Sequence, residues 1–77
     1  MITSDQIRAG RALLRWSLED LTRESGVGIS TIRRMEAADG VPATSARNLV
    51  AVQEALERAG VQFIPKNGGG PGVRLKK

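Results

Sequence analysis

The chain has 77 residues, a formal net charge of +4 and a sequence pI near 10.7, and it contains neither cysteine nor histidine. A chain of this length is expected to form a single domain. The missing cysteines exclude disulfides and thiolate metal sites, and the missing histidines remove the commonest metal ligand and general base. We therefore expect a domain that is stabilised by packing alone, that binds no cofactor or metal, and that is not an enzyme.

The positive charge favours a polyanionic partner. Trp16 and Phe63 are the only aromatic residues. Proteins that read single strands or RNA stack bases on aromatic side chains, and two aromatic residues cannot build such a platform. The composition therefore favours duplex DNA over single-stranded nucleic acid.

The longest purely apolar run, Leu49–Val52, is far too short to span a membrane. The N-terminal residues are polar where a signal peptide would carry its apolar stretch. These features predict a soluble, cytoplasmic protein with no membrane partner.

A first helix is predicted over residues 4–15, with Ser4 as its cap. A second helix is predicted to follow the cap residue Ser17 and to run to about Ser25, with Asp20 at the capping-box position. Gly26 suits the left-handed residue that ends such a helix. The predicted inward stripe of the first helix consists of Ile7, Gly10, Arg11 and Leu14.

A third helix is predicted from about Gly28 to Ala37. Ile32 and Met35 are one turn apart and are expected to face inward. The period then directs Ser30 and Arg33 away from the core, with Ile29 and Arg34 on either side of them.

A turn at Asp39–Pro42 precedes a fourth helix, which is predicted to start at Thr44 or Ser45 and to end at Ala59. Its expected core stripe comprises Ala46, Leu49, Val52, Leu56 and Ala59.

After Gly60 the pattern changes to two short strand-like runs around a glycine-rich stretch. These residues predict either a β-hairpin with a long loop or a disordered tail. The chain accordingly divides into a helical unit, residues 1–60, and a hairpin or tail, residues 61–77.

Two short helices joined by a tight glycine turn can place the second, amphipathic helix in a major groove. The segment Ser17–Glu36 has this form, and with Arg11 it resembles the lambda-repressor/Cro-like (XRE-type) helix-turn-helix regulators over residues 4–59. The matching positions are Arg11, Leu21, Gly26–Val27, Thr31–Ile32 and Glu36. The chain departs from the family pattern at Leu18, Thr22 and Gly28, where glutamine, alanine and a serine or threonine cap are usual.

The resemblance implies an all-α, four-helix lambda-repressor-like domain with a short C-terminal hairpin or tail. It further implies a transcriptional regulator that reads duplex DNA with the helix starting near Gly28, acts as a homodimer, and pairs Arg11 with Glu36. The predicted base-reading residues are Ile29, Ser30, Arg33 and Arg34. The predicted phosphate contacts are Ser17, Thr31, Thr44, Ser45 and Arg47.

A protein partner is the alternative, because helix-turn-helix folds also serve as antitoxins or anti-activators. Ser30, Arg33 and Arg34 favour DNA, whereas the apolar Leu18 and Ile29 favour a protein surface. Each of the polar residues is also compatible with a plain solvated helix face.

Overall fold

The computed structural model describes residues 1–66 and 68–76, and within them it contains four α-helices followed by a two-stranded antiparallel sheet. The helical prediction is confirmed, and the C-terminal segment forms the hairpin rather than the tail. No helix in this part of the chain has the length and apolar character needed to cross a membrane. The elements are α1 (Ser4–Leu13), α2 (Leu18–Ser25), α3 (Ile29–Ala37), α4 (Ala46–Arg58), β1 (Val61–Ile64) and β2 (Gly72–Leu75).

The start of α1 differs from the prediction, because Thr3 and not Ser4 is the cap. Thr3 Oγ1 accepts a hydrogen bond from the Gln6 amide (3.2 Å), and Gln6 Oε1 accepts one from the Thr3 amide (2.8 Å). Ser4 is fully buried, and its hydroxyl donates to the Met35 carbonyl in α3. Ser4 therefore links α1 to α3 instead of capping the start of α1.

The end of α1 is a Schellman motif with an arginine in the position that usually holds glycine. The Trp16 amide donates to the Arg11 carbonyl (3.0 Å), and the Arg15 amide donates to the Ala12 carbonyl (3.0 Å). Arg15 has a φ of 58°, in the left-handed region. Because this residue leaves the helical conformation, α1 ends at Leu13, two residues before the predicted end at Arg15.

The segment from α2 to α3 follows the predicted local signals. Ser17 Oγ accepts a bond from the Asp20 amide (3.0 Å), and Asp20 Oδ2 accepts one from the Ser17 amide (2.9 Å). The bond from the Ser17 backbone is the main cause of a lowered pKa at Asp20, and Arg23 adds to it. Gly26 has a φ of 76°, and Val27 beyond it is buried.

The buried face of α4 is wider than predicted at its C-terminal end and shorter at its start. Leu49, Val52 and Leu56 are buried as expected. Ala46 is exposed, Ala59 is half-buried just after the helix end, and Ala55 is buried instead. α4 packs against α2, α1 and β1, and the adjacent residues Ala55 and Leu56 are both covered. Its first turn extends beyond the core.

The hairpin packs on the helices and completes the core. Val61 is 1% exposed, and Phe63 and Val73, which pair across the strands, pack against the same cluster. A methyl group at Gly10 would lie 3.4 Å from Val61 and 3.5 Å from Leu56. These are ordinary van der Waals distances, so Gly10 marks the place where α1, α4 and the hairpin meet, and an alanine would also fit there.

Gln6 attaches the loop end of the hairpin to α1. Its Nε2 donates to the Ile64 carbonyl (3.2 Å) and to the Gly72 carbonyl (3.0 Å), which belong to paired residues on the two strands. The same side chain also closes the capping box with Thr3. One buried amide thus orders the helix start and the strand ends together.

Candidate nucleic-acid interface

The outer face of α3 is polar and basic, and it stands on a buried inner face. Ile32 is 0% and Met35 2% exposed, so these two residues pack α3 against the hydrophobic core. Ser30, Arg33 and Arg34 are exposed. The structure therefore brings the predicted polar face to the surface as one continuous strip of α3.

The arginines of this face are not neutralised by neighbouring acids. Among the described residues, neither Arg33 nor Arg34 forms an ion pair with a carboxylate. The contact recorded for Arg34 is a hydrogen bond to Thr31 Oγ1 at 3.4 Å, which leaves its charge uncompensated. Five N–H donors on each guanidinium are the groups that bind phosphate or guanine edges.

Ile29 and Leu18, the two apolar residues near this face, differ in how they are placed. Both are half-buried, but Leu18 packs against the hydrophobic core, whereas Ile29 is outside that cluster. Leu18 is therefore accounted for by packing. Ile29 therefore remains an apolar residue at the edge of the basic strip that core packing does not account for.

The start of α4 presents the second predicted group. Ser45 caps the helix by accepting from the Asn48 amide (3.2 Å), and Thr44 Oγ1 accepts from Asn48 Nδ2 (3.4 Å). In both contacts the hydroxyl oxygen is the acceptor, so its own O–H can still donate to an anion. Arg47 is exposed and, within residues 1–66 and 68–76, has no carboxylate partner.

The helix starts differ in their electrostatics. The first turns of α3 and α4 contain no acidic residue, whereas α2 begins with Glu19 and Asp20. The positive end of a helix dipole attracts anions unless a nearby carboxylate opposes it. Ser17, whose amide is already bonded to Asp20, is therefore less suited to a phosphate than Ser45 is.

Thr31 is half-buried on α3, and its hydroxyl oxygen accepts the bond from Arg34. Gly28 precedes the same helix and supplies no side-chain cap. The first amides of α3 are consequently free of a capping side chain.

Arg11 and Glu36 lie in direct contact and join α1 to α3. Arg11 Nε and Nη2 donate to the two carboxylate oxygens of Glu36, each at 2.8 Å, and Nη1 donates to the Trp16 carbonyl at 3.0 Å. The side chains are 24% and 9% exposed. The hydrogen bonds to Glu36 are the main reason that the pKa of Arg11 is raised, and desolvation opposes them.

Sequence reasoning missed three residues that position this face. Ser4 and Arg8 both donate from α1 to backbone carbonyls of α3, those of Met35 and Glu36. Gln6 fixes the other side of α1 to the hairpin. The Thr3–Gln6 spacing is a capping-box signal that could have located the helix start.

A comparison of the chain with protein-family models and with curated proteins finds no match. The function is therefore inferred from the residues and the geometry described above.

Proposed function

We propose that this protein is a sequence-specific, duplex-DNA-binding transcriptional regulator with a lambda-repressor/Cro-like helix-turn-helix domain, in which α3 is the recognition helix. The observation that carries the proposal is the basic outer face of α3, where Arg33 and Arg34 are exposed and, among the described residues, unpaired with acids. The glycine turn at Gly26 and the anchoring of α3 by Ile32 and Met35 support it.

The proposed contacts to bases come from Ile29, Ser30, Arg33 and Arg34. The major groove of B-DNA admits an α-helix, and arginine pairs bidentately with the guanine edge. Ser30 can donate to or accept from several bases, and Ile29 can contact a thymine methyl group. Each well-formed bidentate pair contributes about 1–3 kcal/mol of discrimination against a wrong base.

The proposed contacts to phosphates centre on the start of α4. Arg47, together with the hydroxyls of Thr44 and Ser45, lies where the helix amides add positive potential. Ser17 and Thr31 are the remaining proposed phosphate contacts, and Ser17 is the weaker of the two because Glu19 and Asp20 follow it at the start of α2. Contacts of this kind fix the position of the protein on the duplex without reading its sequence.

One domain of this size covers one half-site, and a two-fold dimer on a pseudo-palindrome would cover two. We therefore propose that the protein binds DNA as a homodimer. The inner side chains of the hairpin pack on the core of their own chain. We therefore propose that two protomers associate on DNA, without domain swapping of the hairpin.

The decisive experiment is a gel shift against the DNA upstream of the protein's own gene, repeated over a series of salt concentrations. We expect Arg33→Ala and Arg34→Ala each to weaken binding to the specific site by about 5- to 150-fold, since 1–3 kcal/mol is lost. Melting temperatures should stay close to the parent value, because both side chains are exposed.

Arg47→Ala should behave differently, weakening binding to all duplexes alike and reducing the slope of log K against log salt by about one unit. The matched control is Arg58→Ala at the opposite end of the same helix, about 16 Å away. Unchanged affinity and selectivity in both α3 variants would show that α3 is not the recognition element.

The second candidate is a protein-binding module, an antitoxin or anti-activator, and the observation that favours it is the half-buried Ile29 outside the core. That function requires no salt-dependent binding to duplex DNA. If no duplex binds and Ile29→Ala alone abolishes capture of a defined protein partner, the second candidate replaces the first.

A further inference from the structure

An open groove of about 610 Å³ lies between the residues before α1, the middle of α4 and the loop end of the hairpin. Its apolar lining comes from Met1, Ile2, Phe63, Pro65 and Pro71. Among the described residues, Lys66 is the one charged side chain in the lining, and no acidic side chain takes part. The groove therefore combines an apolar surface with a cationic rim.

The polar residues of the groove are already bonded to the protein. Both amide hydrogens of Gln6 are used by strand carbonyls, and its oxygen accepts from the Thr3 amide. Gln53 Nε2 donates to Glu57 Oε2 at 3.2 Å. An apolar occupant would therefore leave few polar groups of the lining without a partner.

The groove is separate from the candidate DNA-binding face. None of its lining residues belongs to α3, and α3 packs against α1 and α2 rather than against the hairpin. An occupant of the groove would therefore leave Arg33 and Arg34 free.

We propose that this groove binds a small amphipathic anion, whose apolar body contacts Phe63 and the two prolines and whose acidic group pairs with Lys66. The volume lies in the range of small-molecule sites, about 300–1,000 Å³. The sign of the rim charge selects an anionic head group over a cationic one.

A second copy of the chain fits this groove less well. A two-fold contact through this groove would bring two copies of Lys66 into one interface and would join two concave surfaces. Within the described part of the chain nine residues line the groove, fewer than the roughly 20–30 residues a side of a standard interface. Charge and shape thus favour the small ligand.

The test titrates the full chain with 8-anilinonaphthalene-1-sulfonate, an aromatic sulfonate, and in parallel with N-phenyl-1-naphthylamine, which lacks the sulfonate. We expect saturable binding of the sulfonate at one site, with amide shifts at Ile2, Thr3, Phe63 and Lys66 in NMR spectra. Lys66→Ala should weaken binding of the sulfonate by about two- to five-fold and leave the neutral dye unchanged, as expected for an exposed ion pair.

Two matched pairs of variants locate the site. Lys76→Ala removes an equally exposed hairpin charge outside the groove and should have no effect. Gln53→Trp fills the groove and should abolish saturable binding of both dyes, whereas Glu54→Trp on the neighbouring, outward position of α4 should not. Circular dichroism checks that each variant is folded. Absence of one-site binding by the parent, or binding that survives Gln53→Trp unchanged, would overturn the proposal.

Discussion

Glu36 is the acidic residue through which α1 holds α3. Its carboxylate receives two bonds from Arg11, and its backbone carbonyl receives one from Arg8. The carboxylate is nearly buried, so removal of its partner would leave an uncompensated charge in a poorly solvated place. The pair therefore affects both the stability of the domain and the position of the proposed recognition helix.

We expect Glu36→Ala and Arg11→Ala each to lower the free energy of unfolding by about 2–3 kcal/mol. This value lies between those for breaking buried and exposed pairs, because Arg11 is 24% exposed. Urea unfolding followed by circular dichroism measures the loss. Arg23→Ala, which breaks the more exposed pair with Asp20, serves as the control and should lower the free energy of unfolding clearly less. Equal losses at both pairs would contradict the shielded arrangement.

Thr22 carries a buried hydroxyl oxygen that has no hydrogen-bond partner among residues 1–66 and 68–76. A buried polar atom without a partner retains its desolvation cost, about 1–3 kcal/mol. Alanine is usual at this position in the helix-turn-helix family that the sequence resembles, and its small apolar side chain would avoid that cost.

Thr22→Val should therefore raise the free energy of unfolding by about 1 kcal/mol, since valine keeps the shape and removes the hydroxyl. For a domain of this length, the melting temperature would rise by about 4–8 °C. Thr22→Ser retains the hydroxyl and loses the methyl group, so it should not stabilise the protein. A valine variant that melts at or below the parent temperature would mean that the hydroxyl has a partner in solution.

At the scale of the elements, helix ends decide how the helix-turn-helix unit is oriented. The end of α2 uses Gly26 at a φ of 76°, whereas the end of α1 uses Arg15 at a φ of 58°. Glycine adopts this conformation freely, but an L-residue with a side chain loses about 1–2 kcal/mol in it. The glycine signal made the end of α2 predictable, while the end of α1 had no such signal.

Replacing Arg15 by glycine should stabilise the protein by about 0.5–1 kcal/mol. The relief of the left-handed strain outweighs the greater flexibility of glycine in the unfolded chain. Arg15→Ala keeps the strain and removes the same exposed side chain, so it should change stability by less than about 0.5 kcal/mol. Thermal and urea unfolding of the three proteins give the comparison. A glycine variant less stable than the alanine variant would contradict the left-handed conformation at this position.

At the scale of the whole molecule, the hairpin adds buried apolar area that the four short helices alone do not provide. Small domains bury a smaller share of their surface than large ones, and Val61 and Phe63 add apolar area over α1 and α4. Removal of the chain after Gly60 would therefore open the core at Gly10 and Leu56. Tests of assembly accordingly need the full chain.

The proposed dimer predicts a specific sedimentation result. The full chain should sediment as a monomer alone and as two protomers per duplex when a pseudo-palindromic site is added. A duplex carrying one half-site is the control and should bind one protomer, with lower affinity because the second protomer is missing. One protomer on the complete site, at protein concentrations that saturate it, would rule out the homodimer.

Sequence patterns determined the parts of this fold that depend on neighbouring residues. The Ser17 capping box, the Gly26 turn and the inward pair Ile32 and Met35 were all predictable, because caps, turns and helical periodicity act within a few residues. The same periodicity predicted that Ser30, Arg33 and Arg34 are exposed on α3. Their proposed role as base contacts depends on the binding experiments.

Only the tertiary structure decided the features that join distant parts of the chain. The bond from Ser4 to Met35 spans 31 residues, and that from Gln6 to Gly72 spans 66. The burial of Ala55 and the contacts around Gly10 likewise depend on how the helices and the hairpin pack against one another. A local pattern cannot indicate such contacts, because their energy comes from burial and hydrogen bonding between elements that meet only after the chain has folded.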